Sequence, residues 1–218
     1  MQKLDPIEIN ETNGIKEWYE ETRVGQKNGH NRSYAKAGNL PEIEVPNSGW
    51  GIGHPGEQRH SSHLVGLFPG TLINKENKEY TDFLYHWFED NIRQGLPSKN
   101  INTTTPLLTL AEFNEECKNP EFEALCLKWA DWLMNCLPRT KEGGFQHVTS
   151  ANGDRQGVRL NENEMWIDTL FMTVLFLNRM GQKYGRKDWI DESIHQVLMH
   201  IKYLCDRKTG LFLSWLDF

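Results

Sequence analysis

Apolar residues along this chain fall into two regimes. Up to about residue 50 the sequence is polar, with one short helical candidate from Gly14 to Val24 and then a run rich in Asn, Gly, Lys and Pro. From Lys78 onward, hydrophobic positions recur at helical spacing between short turns. The first predicted helix runs from Glu79 to Gln94, with Phe83, Leu84, Trp87 and Phe88 as its stripe, and Gly95-Leu96-Pro97 ends it. A second is predicted to begin at Pro106, after the capping set Asn102-Thr103-Thr104-Thr105. A third takes Asn119 as N-cap and Pro120 as first residue, buries Phe122, Leu125, Cys126, Trp129, Trp132 and Leu133 on one face, and stops before Pro138.

Gly143-Gly144-Phe145-Gln146-His147 then forms a loop, and a polar connection from Thr149 to Asn163 leads to a helix expected to carry Asp168 and to run to Met180. The last predicted helix spans Lys187 to Cys205, with Trp189, Ile190, Ile194, Val197, Leu198, Ile201 and Leu204 as its inward face. Aligning Phe122 with Trp189 superposes two Trp-containing helices, each preceded by a helix and a turn, which reads as a repeated helical hairpin. No alternating pattern marks a strand. The expected fold class is therefore all-α, a toroid of stacked helical hairpins with active loops at one end.

Asp168 is the first candidate for chemistry. On a helix, Met165, Met172 and Leu175 would share its face, so the carboxylate would stand among inward-packing residues. Burial raises a carboxyl pKa, and an acid that holds its proton near neutral pH can give it to a substrate and take it back. From spacing alone a second reading stands beside this one, in which the Asp near a helix N-terminus interacts with the dipole or a backbone N–H.

Composition narrows the classes. Eight Trp, ten Phe and six Tyr supply broad contact surfaces, used in cores and in sugar-binding clefts alike. The balance of 24 basic and 30 acidic residues, net −6, with no long basic run, speaks against nucleic acid as a partner. Cys117, Cys126, Cys136 and Cys205 lack CxxC spacing and are expected to be buried reduced thiols. With neither a signal-like start nor an apolar run of about 18 residues, a cytoplasmic location without a membrane partner is expected.

Between the two regimes lies Gly51–Gly70, which concentrates His54, Glu57, Arg59, His60 and His63 beside an apolar turn. His60-x-x-His63 lacks the helical HExxH form, so a hydrogen-bonded polar loop without a metal is expected. Arg59, His60, Ser62, His63, Leu64, Gly66, Leu67, Pro69 and Gly70 resemble a run in the helical domain of glycoside hydrolase family 95, the α-L-fucosidase family. That resemblance spans about residues 14–77 and transfers no catalytic residue.

Residues 79–218 resemble glycoside hydrolase family 105, the unsaturated rhamnogalacturonyl hydrolases, and more distantly family 88. Four motifs carry the resemblance. They are Gly95-Leu96-Pro97 with Asn100–Thr103 and Pro106-Leu107-Leu108, Leu137–Thr140 with Glu142–His147, Glu164–Met172, and Tyr203-Leu204 with Asp206, Lys208–Phe212 and Trp215. The family fold is an (α/α)6 barrel, so the resemblance implies an incomplete barrel over 79–218 joined near residues 71–83 to the family 95-like segment, 1–78. It also implies a chemistry: hydration of the C4=C5 double bond left in a uronyl sugar by a polysaccharide lyase, without a cofactor. Asp168 would be the catalytic acid and base. Asn102, His147, Trp166 and Trp215 would contact substrate. The expected partner is an oligosaccharide from pectin; an α-L-fucosidase-like activity and a non-catalytic helical remnant are the alternatives. Helix faces left uncovered by half a toroid are expected to favour self-association.

Overall fold

The computed structural model describes residues 78–151, 154 and 156–218. The expectations for Gly14–Val24, for Arg59, His60 and His63, and for the family 95-like segment up to residue 77 lie outside these residues. Helix α1, Lys78–Gln94, buries Leu84, Trp87 and Phe88 and sets Trp87 edge-on to Phe88 with ring centroids 4.8 Å apart. It belongs to one compact unit, and the elements from Ser98 onward, apart from the short stretch 152–155, form another.

Two helical hairpins make up most of the second unit. Helix α2 spans Ile101–Cys117 and α3 spans Pro120–Asn135, joined through Lys118 in the left-handed conformation (φ 53°). The start of α2 differs from the expected one. Asn100 caps it with a reciprocal pair of bonds to Thr103, Thr103 N to Asn100 Oδ1 at 3.1 Å and Asn100 N to Thr103 Oγ1 at 3.0 Å, so the helix begins earlier and Pro106 falls inside it. Helix α3 starts as its sequence dictates. Asn119 Oδ1 accepts from Glu121 N at 2.8 Å, and Pro120 takes the position where its missing N–H costs nothing. Phe122, Leu125, Cys126, Trp129 and Leu133 are buried as expected, while Trp132 is half-buried.

The second hairpin joins α4, Leu175–Tyr184, to α5, Lys187–Leu204, through Gly185 at φ +63°. At their junction Gly181 lets α5 approach closely: a Cβ there would lie 2.8 Å from Ile190 Cγ1. Polar pairs stitch the hairpins together, Arg179 with Glu112, Lys183 with Glu115 at 2.8 Å, and the Tyr184 hydroxyl with Glu123. No described helix is long and apolar enough to cross a membrane.

The helix-rich described residues agree with the all-α expectation, but two finer details differ. The described residues are rich in helix but include four short strands, which pair antiparallel as β1 (Val148–Ser150) with β2 (Val158–Leu160), and β3 (Glu164–Trp166) with β4 (Trp215–Asp217). Three residues per strand are too few for an alternating pattern to register. The inward face of α5 is also not the predicted one. Trp189 and Leu204 are buried, but Ile194 (54% exposed), Val197, Leu198 (59%) and Ile201 face outward, and the buried partners of the helix are Ser193, Gln196, Met199 and His200. The four cysteines are all free thiols, yet Cys126 is the buried one, Cys136 is exposed, and Cys117 and Cys205 are half-buried.

Candidate active site

Asp168 does not sit within a helix. Asn163, at φ 58°, turns the chain into β3, so Glu164, Met165 and Trp166 are extended and pair with Asp217, Leu216 and Trp215. The helix begins after Asp168, first as a π turn over Leu170–Val174 and then as α4. Asp168 therefore lies at the mouth of a helix, where its carbonyl accepts from Met172 N at 2.9 Å. Such π turns recur at functional sites because they displace one residue from the regular ladder. Here the Thr173 hydroxyl fills the carbonyl of Thr169 at 2.7 Å. The predicted apolar companions of Asp168 scatter accordingly: Met165 is fully buried in β3, Met172 is half-buried and Leu175 is exposed.

The strand pair and the Gly-Gly loop bring the other candidates together. His147 is held by its backbone, His147 N donating to Glu164 O at 2.8 Å and Asn161 N donating to His147 O at 3.0 Å. Its ring stacks on Trp166 with centroids 4.3 Å apart and planes 13° from parallel. Trp166 in turn lies 6.2 Å from Trp215 at 23°, which makes a ladder of three rings with Trp215 outermost and 47% exposed. Glu164 fixes the middle ring: its Oε2 accepts from Trp166 Nε1 at 2.8 Å and from Asn161 Nδ2 at 2.9 Å. Asn102 stands in the first turn of α2, half-buried. That end of α2 is tied to β1 by Asn100 Nδ2 donating to Ser150 Oγ at 3.0 Å, and no described contact joins Asn102 to the ring ladder.

Charge and solvation set this place apart from an ordinary packed corner. Burial holds His147 below the usual imidazole range, opposed by the carboxylates of Asp168 and Glu164. His200 of α5 is fully buried and is lowered for the same reason, opposed by its carbonyl contacts and by Asp168. Its Nδ1 lies 2.7 Å from Gln196 O and its Nε2 3.1 Å from Trp166 O. Buried polar atoms nearly always find a partner. Yet Asp168 Oδ1, His147 Nδ1 and Thr169 Oγ1 are buried here without one. Orphaned polar atoms beside a stacked aromatic wall are what a polar, ring-shaped ligand needs.

Among the described residues, no group of three or more His, Cys, Asp or Glu side chains could hold a metal ion. Sequence reasoning did not mark Glu164, Asn161 or His200. Glu164 stands in the same motif as Asp168 and two residues from Trp166, a spacing that puts all three on one side of an extended chain, and a strand reading would have found it.

A family profile described as Glycosyl Hydrolase Family 88 matches residues 71–217. The chain belongs to glycosyl hydrolase family 88. It is 28% identical over 137 residues to the unsaturated rhamnogalacturonyl hydrolase YesR of Bacillus subtilis, an alignment that covers 63% of this chain and 38% of YesR. Two solved structures described as possible members of family GH105 are similar in fold and sequence. The one from Salmonella enterica serovar Paratyphi A has a TM-score of 0.65 at 28% identity, covering 99% of this chain and 57% of that one. The one from Klebsiella pneumoniae has 0.64 at 27%, covering 100% and 57%. The chain thus spans little more than half the length of these structures and less of YesR. A family 105 glycoside hydrolase from C. acetobutylicum, at 18% identity and a TM-score of 0.58, shares the fold. Nothing in these comparisons supports the family 95 segment expected over residues 14–77, whereas the family 105 likeness expected from residue 79 onward is supported.

Proposed function

We propose that this chain carries the acid/base end of a glycoside hydrolase acting on unsaturated uronyl sugars, and that its substrate is a rhamnogalacturonan-derived disaccharide with a C4=C5 double bond. The observation that carries this reading is the buried, unpartnered pair Asp168 Oδ1 and His147 Nδ1 beside the His147–Trp166–Trp215 ladder. The relatives named above support the substrate class, and the (α/α)6 barrel is the architecture in which the two helical hairpins would take their place.

In this reading Asp168 gives a proton to C4, and the electron pair of the double bond forms the new C–H bond. Positive charge then develops at C5 and is shared with the ring oxygen. Water attacks C5 while the Asp168 carboxylate takes the water proton, which restores neither the double bond nor the original acetal but leaves a hemiketal. Its collapse breaks the glycosidic bond. His147 hydrogen-bonds the uronyl group or its neighbour through the free Nδ1, and Trp166 and Trp215 present flat surfaces to the sugar rings. A role for Asn102, in the first turn of α2, rests on the family resemblance alone.

Loss of ultraviolet absorbance on mixing the protein with the unsaturated disaccharide tests the reading. Asp168→Asn keeps the size of the side chain and removes its acid, and turnover is expected to fall by roughly two to four orders of magnitude. Equal rates for the native and Asp168→Asn proteins would refute the assignment. Absence of turnover by a folded native protein would favour a non-catalytic carbohydrate-binding role.

A further inference from the structure

The inward side of α5 sets Ser193, Gln196 and His200 among Trp189, Met199 and Leu204, and two of these buried polar groups, Gln196 and His200, reach backbone of the site. Gln196 is fully buried. Its Oε1 accepts from Phe145 N at 2.7 Å, and its Nε2 donates to Gly143 O at 3.0 Å and to Glu192 Oε1 at 2.7 Å. One side chain therefore satisfies both a donor and an acceptor of the Gly-Gly-Phe loop. Glu192, one turn earlier, pairs with Arg139, whose guanidinium lies 4.9 Å from the Phe145 ring centroid and also donates to Gly143 O at 3.4 Å. From the opposite side the loop is pressed against β3, since a Cβ on Gly144 would lie 2.6 Å from Met165 Sδ. The loop is pinched between α5 and the strand that carries Trp166, and it ends in His147.

We propose that Gln196 is a positioning residue of the site: through the backbone of Gly143 and Phe145 it sets the distance between the loop ending in His147 and the strand carrying Trp166. The stacking of His147 on Trp166 is the quantity it controls. Its catalytic relevance rests on the function proposed above, but its geometric effect does not. An apolar isostere removes three hydrogen bonds, leaving the buried Phe145 N–H without this acceptor and the half-buried Gly143 C=O with only its longer bond from Arg139, so the loop shifts to satisfy Phe145.

The test uses the full chain with Q196M and Q196E. The Trp166 ring displaces the imidazole C–H resonances of His147, which are assigned by their loss in His147→Gln. In folded Q196M these resonances are expected to move toward unstacked values. In Q196E, where a carboxylate oxygen still accepts from Phe145 N but Gly143 O keeps only its longer bond from Arg139, they move part of the way. Where the native protein turns over the unsaturated sugar, Q196M lowers kcat by roughly tenfold to a hundredfold with a smaller change in KM. A Q196M protein that melts earlier yet keeps the native His147 resonances well below its midpoint would make Gln196 merely structural and overturn the proposal. If Q196M does not fold, unmoved resonances in folded Q196E overturn it instead. The resonance measurement needs no turnover, so an inactive native protein defeats the functional reading without touching this one.

Discussion

Gly144→Ala isolates the close approach between the loop and β3. The substitution adds one methyl group, and Gly144 is not among the residues at positive φ, so the backbone tolerates alanine and the effect is steric. The new Cβ would lie 2.6 Å from Met165 Sδ and 3.7 Å from Met165 Cγ. A thioether can swing aside on an open surface, but Met165 is fully buried and its movement must displace other core atoms. Overpacking of this kind costs about 1–3 kcal/mol, with the adaptable methionine side chain favouring the lower end. For a chain of this size that is a fall in Tm of roughly 2–12 °C. Gly185→Ala would mix in strain from φ +63°, so the proper control is Met165→Ala, which removes the obstructing atoms. In a double-mutant cycle Gly144→Ala should cost much less in the Met165→Ala background, a coupling of about 1 kcal/mol or more. If Gly144→Ala leaves the melting midpoint unchanged, or costs the same in both backgrounds, the loop and strand are not in the tight contact described.

Stability should depend on pH through His147 and His200, both held by burial below the ordinary imidazole value. The unfolded chain then binds protons that the folded one refuses. Stability is accordingly full above about pH 6.5 and falls as pH drops through that value toward the lower folded pKa values. Urea unfolding across this range should show the slope, and His147→Gln with His200→Gln should flatten it; an equal slope in the double variant contradicts the assignment. Thiol labelling should mark Cys136 at once, whereas Cys126, pushed up to about 12 by burial, should react only on unfolding. Rapid native labelling of Cys126, read by mass spectrometry, would contradict its placement. The outward stripe Ile194, Val197, Leu198 and Ile201 should promote self-association. Sedimentation should show it weakened in Ile194→Lys/Leu198→Lys, and a compact monomer at every concentration of native protein would refute it.

What was legible in the sequence was what local chemistry decides. Asn119-Pro120 starts α3 by its own side chains, and Gly143 at φ +92° makes the loop the Gly-Gly pair announces. Asp168 was marked by its spacing and by the family 105 resemblance, and His147, Trp166 and Trp215 by the resemblance alone; the structure brings His147, Trp166 and Trp215 into one stack with Asp168 two residues beyond Trp166. The failures share a cause. The outward Ile194 and Leu198 read as core because apolar residues at helical spacing ordinarily pack inward, while the buried Gln196 and His200 went unmarked. Their true partners are backbone groups of Gly143, Phe145 and Trp166, remote in sequence and unmarked by any side-chain pattern. The strand Glu164–Trp166 was hidden in the same way, because its partner is Trp215–Asp217 and nothing within three residues betrays it. Helical spacing then extended the following helix back over Asp168.

The pairing of β3 with β4 has a kinetic consequence. Trp166 meets Trp215 only after the π turn, α4 and α5 have been made and folded back, so this contact closes a long loop. Closing such a loop costs entropy that local helix formation does not. During synthesis the His147–Trp166 end can assemble first, and the outermost ring joins late. A refolding experiment that follows tryptophan emission should separate a fast helical phase from a slower one that Trp215→Phe removes, and a nascent chain stalled before Trp215 should leave the outer face of Trp166 uncovered until synthesis resumes.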